Sequence, residues 1–263
     1  METEKNCPSL VQSLAKAAMA VWAAVAFLNM EGAKAKTPVS IELVFAVDTS
    51  MSIDGFEYDI LMKGIANAFR TPEIVDLIGQ QNGVAVALFQ WSSEVNERYM
   101  IPWHLLKDSA SVSAFAAKVE KAERDPDRYF TGIGEAIDFG VRLIAENAFE
   151  GRQLKIDVSG DGRNNIGVPP SIPRQKANAL GIVINGLPII TYTSADSYDL
   201  ERYYRDKVIQ GPGAFVEIAN DYDDFARAFL SKLLHEISPL VSQENSAPRA
   251  LIQETHAHRM NLR

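Results

Sequence analysis

From Ile41 to about Ile237 the chain alternates short apolar runs with longer amphipathic stretches, and that alternation restricts the folds open to it more than any other feature. It is the pattern of crossover units laid around a parallel sheet. Runs rich in β-branched or aromatic residues predict strands at Glu42 to Val47, Val84 to Trp91, Leu154 to Ser159, Ile189 to Thr193 and Phe215 to Ile218. Glu94 to Ile101 reads as a shorter edge strand hairpinned to the second of these. Ile133, Ala136, Ile137, Gly140, Val141 and Ile144 recur at steps of three and four, so they share one helix face that turns to the sheet. Phe225, Phe229, Leu233 and Ile237 form a similar stripe, with Asp221, Asp223 and Asp224 near the end where a helix dipole favours negative charge. A further helix is predicted from about Phe56 to Phe69, stopped before Pro72. The expectation is an α/β domain of three layers, Rossmann-like, with a mostly parallel central sheet and one antiparallel edge strand over residues 36–237.

The ends of the chain read differently. Lys5 and Lys16 precede an apolar stretch from Ala17 to Met30, followed by Ala33-Lys34-Ala35. This is the layout of a secretory signal peptide over residues 1–35, cleaved after Ala35. The apolar run is shorter than the ~20 residues of a membrane-spanning helix, although Glu2, Glu4 and Glu31 are atypical of a leader and leave a retained anchor as the alternative. Cleavage predicts an extracytoplasmic protein, periplasmic or secreted, with no membrane span in the mature chain. Cys7 is the only cysteine and lies in the leader, so no disulfide holds the mature fold, which must rest on a conventional core. Residues 238–263, with Pro239, Pro248 and few large apolar side chains, read as a mobile tail or a late docking segment. At 47% hydrophobic and 23% charged the composition is that of a globular protein. The leader takes away as many acids as bases, so the mature charge stays at the −8 of the whole chain. That balance, without a basic cluster interleaved with aromatics, argues against nucleic acid as a partner.

In an open parallel sheet, ligands gather beyond the carboxyl ends of the strands. Three polar stretches are predicted there. Asp48-Thr49-Ser50-Met51-Ser52 follows the apolar run Ile41 to Val47; Thr131 precedes the helix of Ile133; and Asp161 stands in Asp157-Val158-Ser159-Gly160-Asp161-Gly162. A carboxylate and small hydroxyls on a tight turn make part of a cage for a hard divalent cation, which takes oxygen ligands and keeps several waters. Each stretch also has a plainer reading. Asp48, Ser50 and Ser52 can cap the helix that follows, Thr131 is a good helix cap, and Asp161-Gly162 is a common turn.

Taken together the three stretches resemble the von Willebrand factor type A family, whose metal-ion-dependent adhesion site combines D-x-S-x-S with a distant threonine and a distant aspartate. The resemblance covers most of Ile41 to Ile237. In that family the two serines and the threonine coordinate the ion, and the aspartates bind it directly or through water. It therefore implies that Asp48, Ser50, Ser52, Thr131 and Asp161 hold Mg2+ or Mn2+. The run from Asp157 to Gly162 with Asn164 and Asn165 is similar to a bacterial secreted branch of the family whose function is unassigned. Ser159-Gly160 departs from the commoner pattern, which has a larger apolar residue or threonine there.

Asp157 lies within a strand expected to be buried on both faces, where an acid needs a partner. It either orients a ligand or its water, or makes a structural hydrogen bond to a neighbouring loop. Arg163, Asn164 and Asn165 either rim the site or form a solvated turn. His104, His235, His256 and His258 are scattered and build no transition-metal centre, and neither a P-loop nor a G-x-S-x-G elbow is present. The resemblance implies a binding module and not an enzyme. A protein partner would present an Asp or Glu that completes the metal shell. The rival reading is a metal-dependent hydrolase of phosphoesterase type, although Ser50 stands where such enzymes carry a second aspartate. A scaffold without bound metal is the third.

Overall fold

The computed structural model describes residues 35–127, 129–191 and 199–238. The predicted leader, apart from Ala35, and the predicted tail, apart from Ser238, lie outside the described residues.

The chain begins with β1 (Thr37–Asp48), whose last ten residues are all buried. An apolar strand with no solvent face belongs in the middle of a parallel sheet, and β1 is there. It pairs in parallel with β2 (Val84–Trp91) on one side and with β4 (Phe149–Gly160) on the other. Beyond β4 lies β5 (Ile182–Pro188), also parallel, and beyond β2 lies β3 (Ile101–Leu106), antiparallel, so the order is β3-β2-β1-β4-β5. The registers Asp48↔Trp91 and Val47↔Ser159 bring the carboxyl ends of the three central strands to one rim.

Helices cover both faces. On one side, α1 (Gly55–Arg70), α2 (Pro72–Gly79), α3 (Ser109–Glu120) and the last helix, α7 (Phe225–Ile237), pack on Leu43, Phe45 and Val47 of β1. Phe45 is the hub of this layer: its ring meets Phe69 edge-on at 5.7 Å and Phe229 at 5.4 Å. On the other side, α4 (Ile133–Glu146) and α5 (Ser171–Ala179) pack on Val44 and Ala46. A short α6 (Leu200–Tyr203) runs into a π-turn, Tyr204–Val208, which buries Tyr204 and Val208 in the second layer. The predicted faces of α4 and α7 are the buried ones.

Two strands sit elsewhere than their pattern predicts. The strand expected at Ile189 to Thr193 is instead β5, seven residues earlier. Asn185 and Gly186 interrupt its apolar run, yet Asn185 is satisfied inside the protein, giving its amide to Glu236 and accepting the Phe215 N–H. Of the expected span, Ile189 only bridges Ala219, and Tyr192 and Thr193 lie outside the described residues. Phe215 to Ile218 is not a full strand; isolated bridges such as Gly186↔Val216 cover the edge of β5. The edge strand begins at Ile101, where Glu94 to Ile101 is expected. It contains Pro102, which lacks an amide and is tolerated at a sheet edge. Pro72 does end the first helix, but it also opens α2 as the first residue of that helix.

Asp157 has neither of its two predicted roles. Its side chain points from β4 towards α7, where the Lys232 ammonium lies 2.8 Å from Oδ1, both residues being buried. Lys232 also holds Glu236 at 2.6 Å, and the Lys155 ammonium donates to the Glu236 carbonyl. The last helix is thus tied to the sheet by charges as well as by its apolar stripe.

Candidate metal centre

β1 ends at Asp48, and the chain turns at once. Asp48 Oδ1 accepts the Ser50 N–H at 2.7 Å, which curls the loop back over the carboxylate. Ser50 Oγ lies 3.2 Å from Ser52 Oγ, and Ser52 Oγ donates to Asp161 Oδ1 at 2.7 Å, so oxygens 109 residues apart in the chain meet. The plainer reading of these residues as helix caps does not hold. α1 is capped by Asp54, whose Oδ1 takes the N–H groups of Phe56 and Glu57 while Glu57 returns a bond to the Asp54 amide. Asp48, Ser50 and Ser52 are free of that duty.

Thr131 is no cap either. The cap position of α4 is Gly132, and no side-chain hydrogen bond closes that helix from there. Thr131 is instead clasped to the loop that follows Asp161: its N–H donates to Asn165 Oδ1 at 2.8 Å, and its carbonyl accepts the Asn165 N–H at 2.9 Å. Asn164 Oδ1 takes the Gly134 N–H at 2.9 Å, supplying from a distance the bond a local cap would make. Asn164 and Asn165 therefore hold the Thr131 loop against the loop that follows Asp161. Arg163 lies over the Tyr203 ring and 3.4 Å from Asp199.

The Ser159-Gly160 departure has a steric reason. A Cβ at Gly160 would lie 2.6 Å from Asp48 Oδ2 and 3.1 Å from the Tyr204 hydroxyl, so only glycine lets β4 end this close to Asp48. A Cβ at Gly162 would lie 3.3 Å from Thr131 Oγ1, which puts the Thr131 hydroxyl beside the Asp161 loop. All five predicted residues thus lie at the carboxyl end of the sheet, Asp48 as the last residue of β1 and the other four on adjoining loops.

Two tyrosines complete the surroundings and were not read from sequence. Tyr222, in the loop before α7, donates to Asp161 Oδ2 at 3.0 Å, and the buried Tyr204 hydroxyl lies 3.4 Å from the Gly160 carbonyl. An aromatic amid the acids Asp221, Asp223 and Asp224 was the signal for the first; the second carried none. Burial, and then the Asp161 charge, raises the Tyr222 hydroxyl, while burial and then Asp48 raise that of Tyr204, so both stay protonated donors.

The electrostatics point one way. Burial, and then the neighbouring Asp161 charge, pushes the Asp48 carboxyl up to about 8, against the hydrogen bonds from Ser50. Burial raises Asp161 too. Asp48 Oδ2 is buried and accepts no hydrogen bond. Two acids strained against ionisation and an orphaned carboxylate oxygen, ringed by neutral hydroxyls, suit a hard cation. No group of three or more His, Cys, Asp or Glu side chains suited to a metal occurs among the described residues.

Residues 38–241 match the family described as Protein of unknown function (DUF1194). The chain belongs to that family. No curated protein matches the DUF1194 chain in sequence. Among solved structures it is similar to the proximal thread matrix protein 1 of the mussel byssus with a zinc-occupied MIDAS motif (TM-score 0.53, 14% identity, 78% of this chain and 47% of that one). It is similar as well to the pilus adhesin SpaC of Lactobacillus rhamnosus GG (0.55, 12%, 75% and 30%) and to a von Willebrand factor type A protein of Catenulispora acidiphila (0.52, 13%, 75% and 42%). The DUF1194 chain spans less than half the length of each of these three. At such identities the likeness is one of fold, and the fold is that of the von Willebrand factor type A domains.

Proposed function

We propose that the protein is an extracytoplasmic, divalent-cation-dependent protein-binding module, in which Asp48, Ser50, Ser52, Thr131 and Asp161 hold Mg2+ or Mn2+. The observation that carries the reading is the buried, unpartnered Asp48 Oδ2 beside Asp161, within a chain of hydroxyls from Ser50 and Ser52. When bound, the cation supplies a position at which an Asp or Glu of a partner replaces water. Ser52 is exposed and Asp161 half-buried, so the set opens outward on that side, whereas Asp48 and Ser50 are sealed beneath.

The same burial favours binding over hydrolysis. Asp48 is fully buried and its Oδ1 is engaged by the Ser50 amide, so its carboxylate is poorly placed to attack a phosphoryl group. The zinc-occupied MIDAS of the mussel protein and the adhesin among the neighbours support a metal-dependent adhesive role. The leader-like start of the sequence supports export, and no helix among the described residues is long and apolar enough to cross a membrane.

The test is capture of proteins from an envelope extract by the immobilised chain, with Mg2+ or with chelator. Partners retained by the wild type in Mg2+, and lost both with chelator and with Asp48→Ala, are expected. Retention unchanged by chelator would refute cation dependence.

A further inference from the structure

Seven large hydrophobic side chains are exposed among the described residues, and five of them stand on or just after the loops that carry the candidate ligands. Met51 lies between Ser50 and Ser52. Phe56 lies in the first turn of α1, four residues after Ser52. Tyr129 and Phe130 directly precede Thr131, and Ile166 follows Asn165. These five are between 37% and 74% exposed, while the other two, Ile172 and Leu180, belong to α5 and its end. The loops are also tied to one another: the Met51 N–H donates to the Tyr129 carbonyl at 3.3 Å, and the Phe130 N–H to Ser93 Oγ at 3.0 Å.

Scattered apolar side chains on a surface need no explanation, but a cluster around one polar centre does. From this cluster we infer the chemistry of the partner: an acidic side chain flanked by large apolar or aromatic residues in one short segment. The inference rests on the metal-dependent reading above. Apolar side chains beside a single electrophilic point suit a single carboxylate, because they exclude water and the lower local dielectric strengthens the bond. A polyacidic partner would need cations around the rim. Among the described residues, Arg163 beside the site is already engaged by Asp199 and the Tyr203 ring, and the chain as a whole carries −8. The same charge disfavours a second copy of the chain, and the polar centre disfavours a lipid surface. Exposed aromatics with few rotatable bonds are the side chains that dominate binding once buried in an interface.

The probe is an unbiased displayed heptapeptide library, panned on the full chain in Mg2+ and eluted with chelator. Eluted sequences are expected to carry one Asp or Glu with Phe, Leu, Ile or Trp within two positions. The best of them, made as a free peptide, is expected to bind Phe56→Ser/Phe130→Ser at least about tenfold more weakly than wild type. In that variant the Mg2+-induced rise in melting temperature should be unchanged. Chelator-eluted sequences rich in acids without apolar neighbours, or a double variant that binds as tightly as wild type, would overturn the inference and leave the metal-dependent reading standing. Loss of the Mg2+ stabilisation in wild type itself would instead sink that reading. Cation-independent binding to phosphatidylcholine vesicles, or Mg2+-dependent dimerisation abolished by the double substitution, would assign the rim to lipid or to a second copy and so overturn the inference.

Discussion

A methyl group at Gly160 would lie 2.6 Å from a buried Asp48 carboxylate oxygen, and the closeness of Asp48 to β4 depends on its absence. Gly160→Ala is expected to cost about 1–3 kcal/mol by overpacking and to abolish stabilisation by Mg2+, because Asp48 must move. Urea denaturation with and without the cation checks both. Asp54 provides the contrast. It caps α1 with a complete capping box, so Asp54→Ala should cost about 1 kcal/mol while leaving the cation effect intact. If Asp54→Ala removed the Mg2+ response and Asp48→Ala kept it, the division of labour between the two acids would be reversed. At this scale the sequence was readable where chemistry is local: the D-x-S-x-S of Asp48 to Ser52 and Asp161 stand just past strand-like runs, and Thr131 stands just before a helical stripe. Tyr204 and the clasp of Asn165 on Thr131 were not readable, since each depends on a loop distant in sequence.

Among the elements, α7 carries the clearest unforeseen feature. Its stripe of Phe225, Phe229, Leu233 and Ile237 was legible from spacing, but periodicity does not mark Lys232 and Glu236 as buried. They are buried because Asp157 and Asn185 meet them from β4 and β5. Removing one member of such a cluster leaves the others uncompensated, so Lys232→Ala should lose about 3–5 kcal/mol in chemical denaturation. A loss below 1 kcal/mol would mean that the cluster is solvated. The same cluster sets a dependence on pH. Burial pushes Asp157 up to about 7, with Lys232 opposing the rise and Glu236 adding to it. One ammonium faces two carboxylates, with the Lys155 ammonium on the Glu236 carbonyl and the neutral Asn185 completing the surroundings. Between about 4 and about 7 the folded chain holds a proton that the unfolded chain has released. This contribution is therefore fully present below the unfolded value of about 4 and is lost as pH rises through about 7. The stability of wild type relative to Asp157→Asn is expected to fall across that range; a relative gain would contradict the assignment. The strand expected at Ile189 to Thr193 lies instead in β5 for a related reason: Asn185 and Gly186 interrupt its apolar run, and only the distant partners Glu236 and Phe215 make Asn185 acceptable in a strand.

For the molecule as a whole, the alternation of apolar and amphipathic stretches was enough to specify the layered architecture, because a parallel sheet buried on both faces has few other solutions. The order of strands then brings the carboxyl ends of β1, β2 and β4 to one rim, and the candidate site follows from that order. A cation that binds only the folded chain stabilises it by mass action. At one hundred times the dissociation constant the gain is about 2.7 kcal/mol, or about 5–10 °C in melting temperature for a domain of this size. Scanning calorimetry across a Mg2+ series, with Asp48→Ala as control, reads that shift. The central claim, that Asp48, Ser50, Ser52, Thr131 and Asp161 surround one ion, is tested most directly by anomalous diffraction from crystals soaked in Mn2+. The account predicts one dominant peak within coordination distance of the Ser50 and Ser52 hydroxyls, with Thr131 and Asp161 around it. A peak bound elsewhere, or no peak at saturating Mn2+, would contradict it.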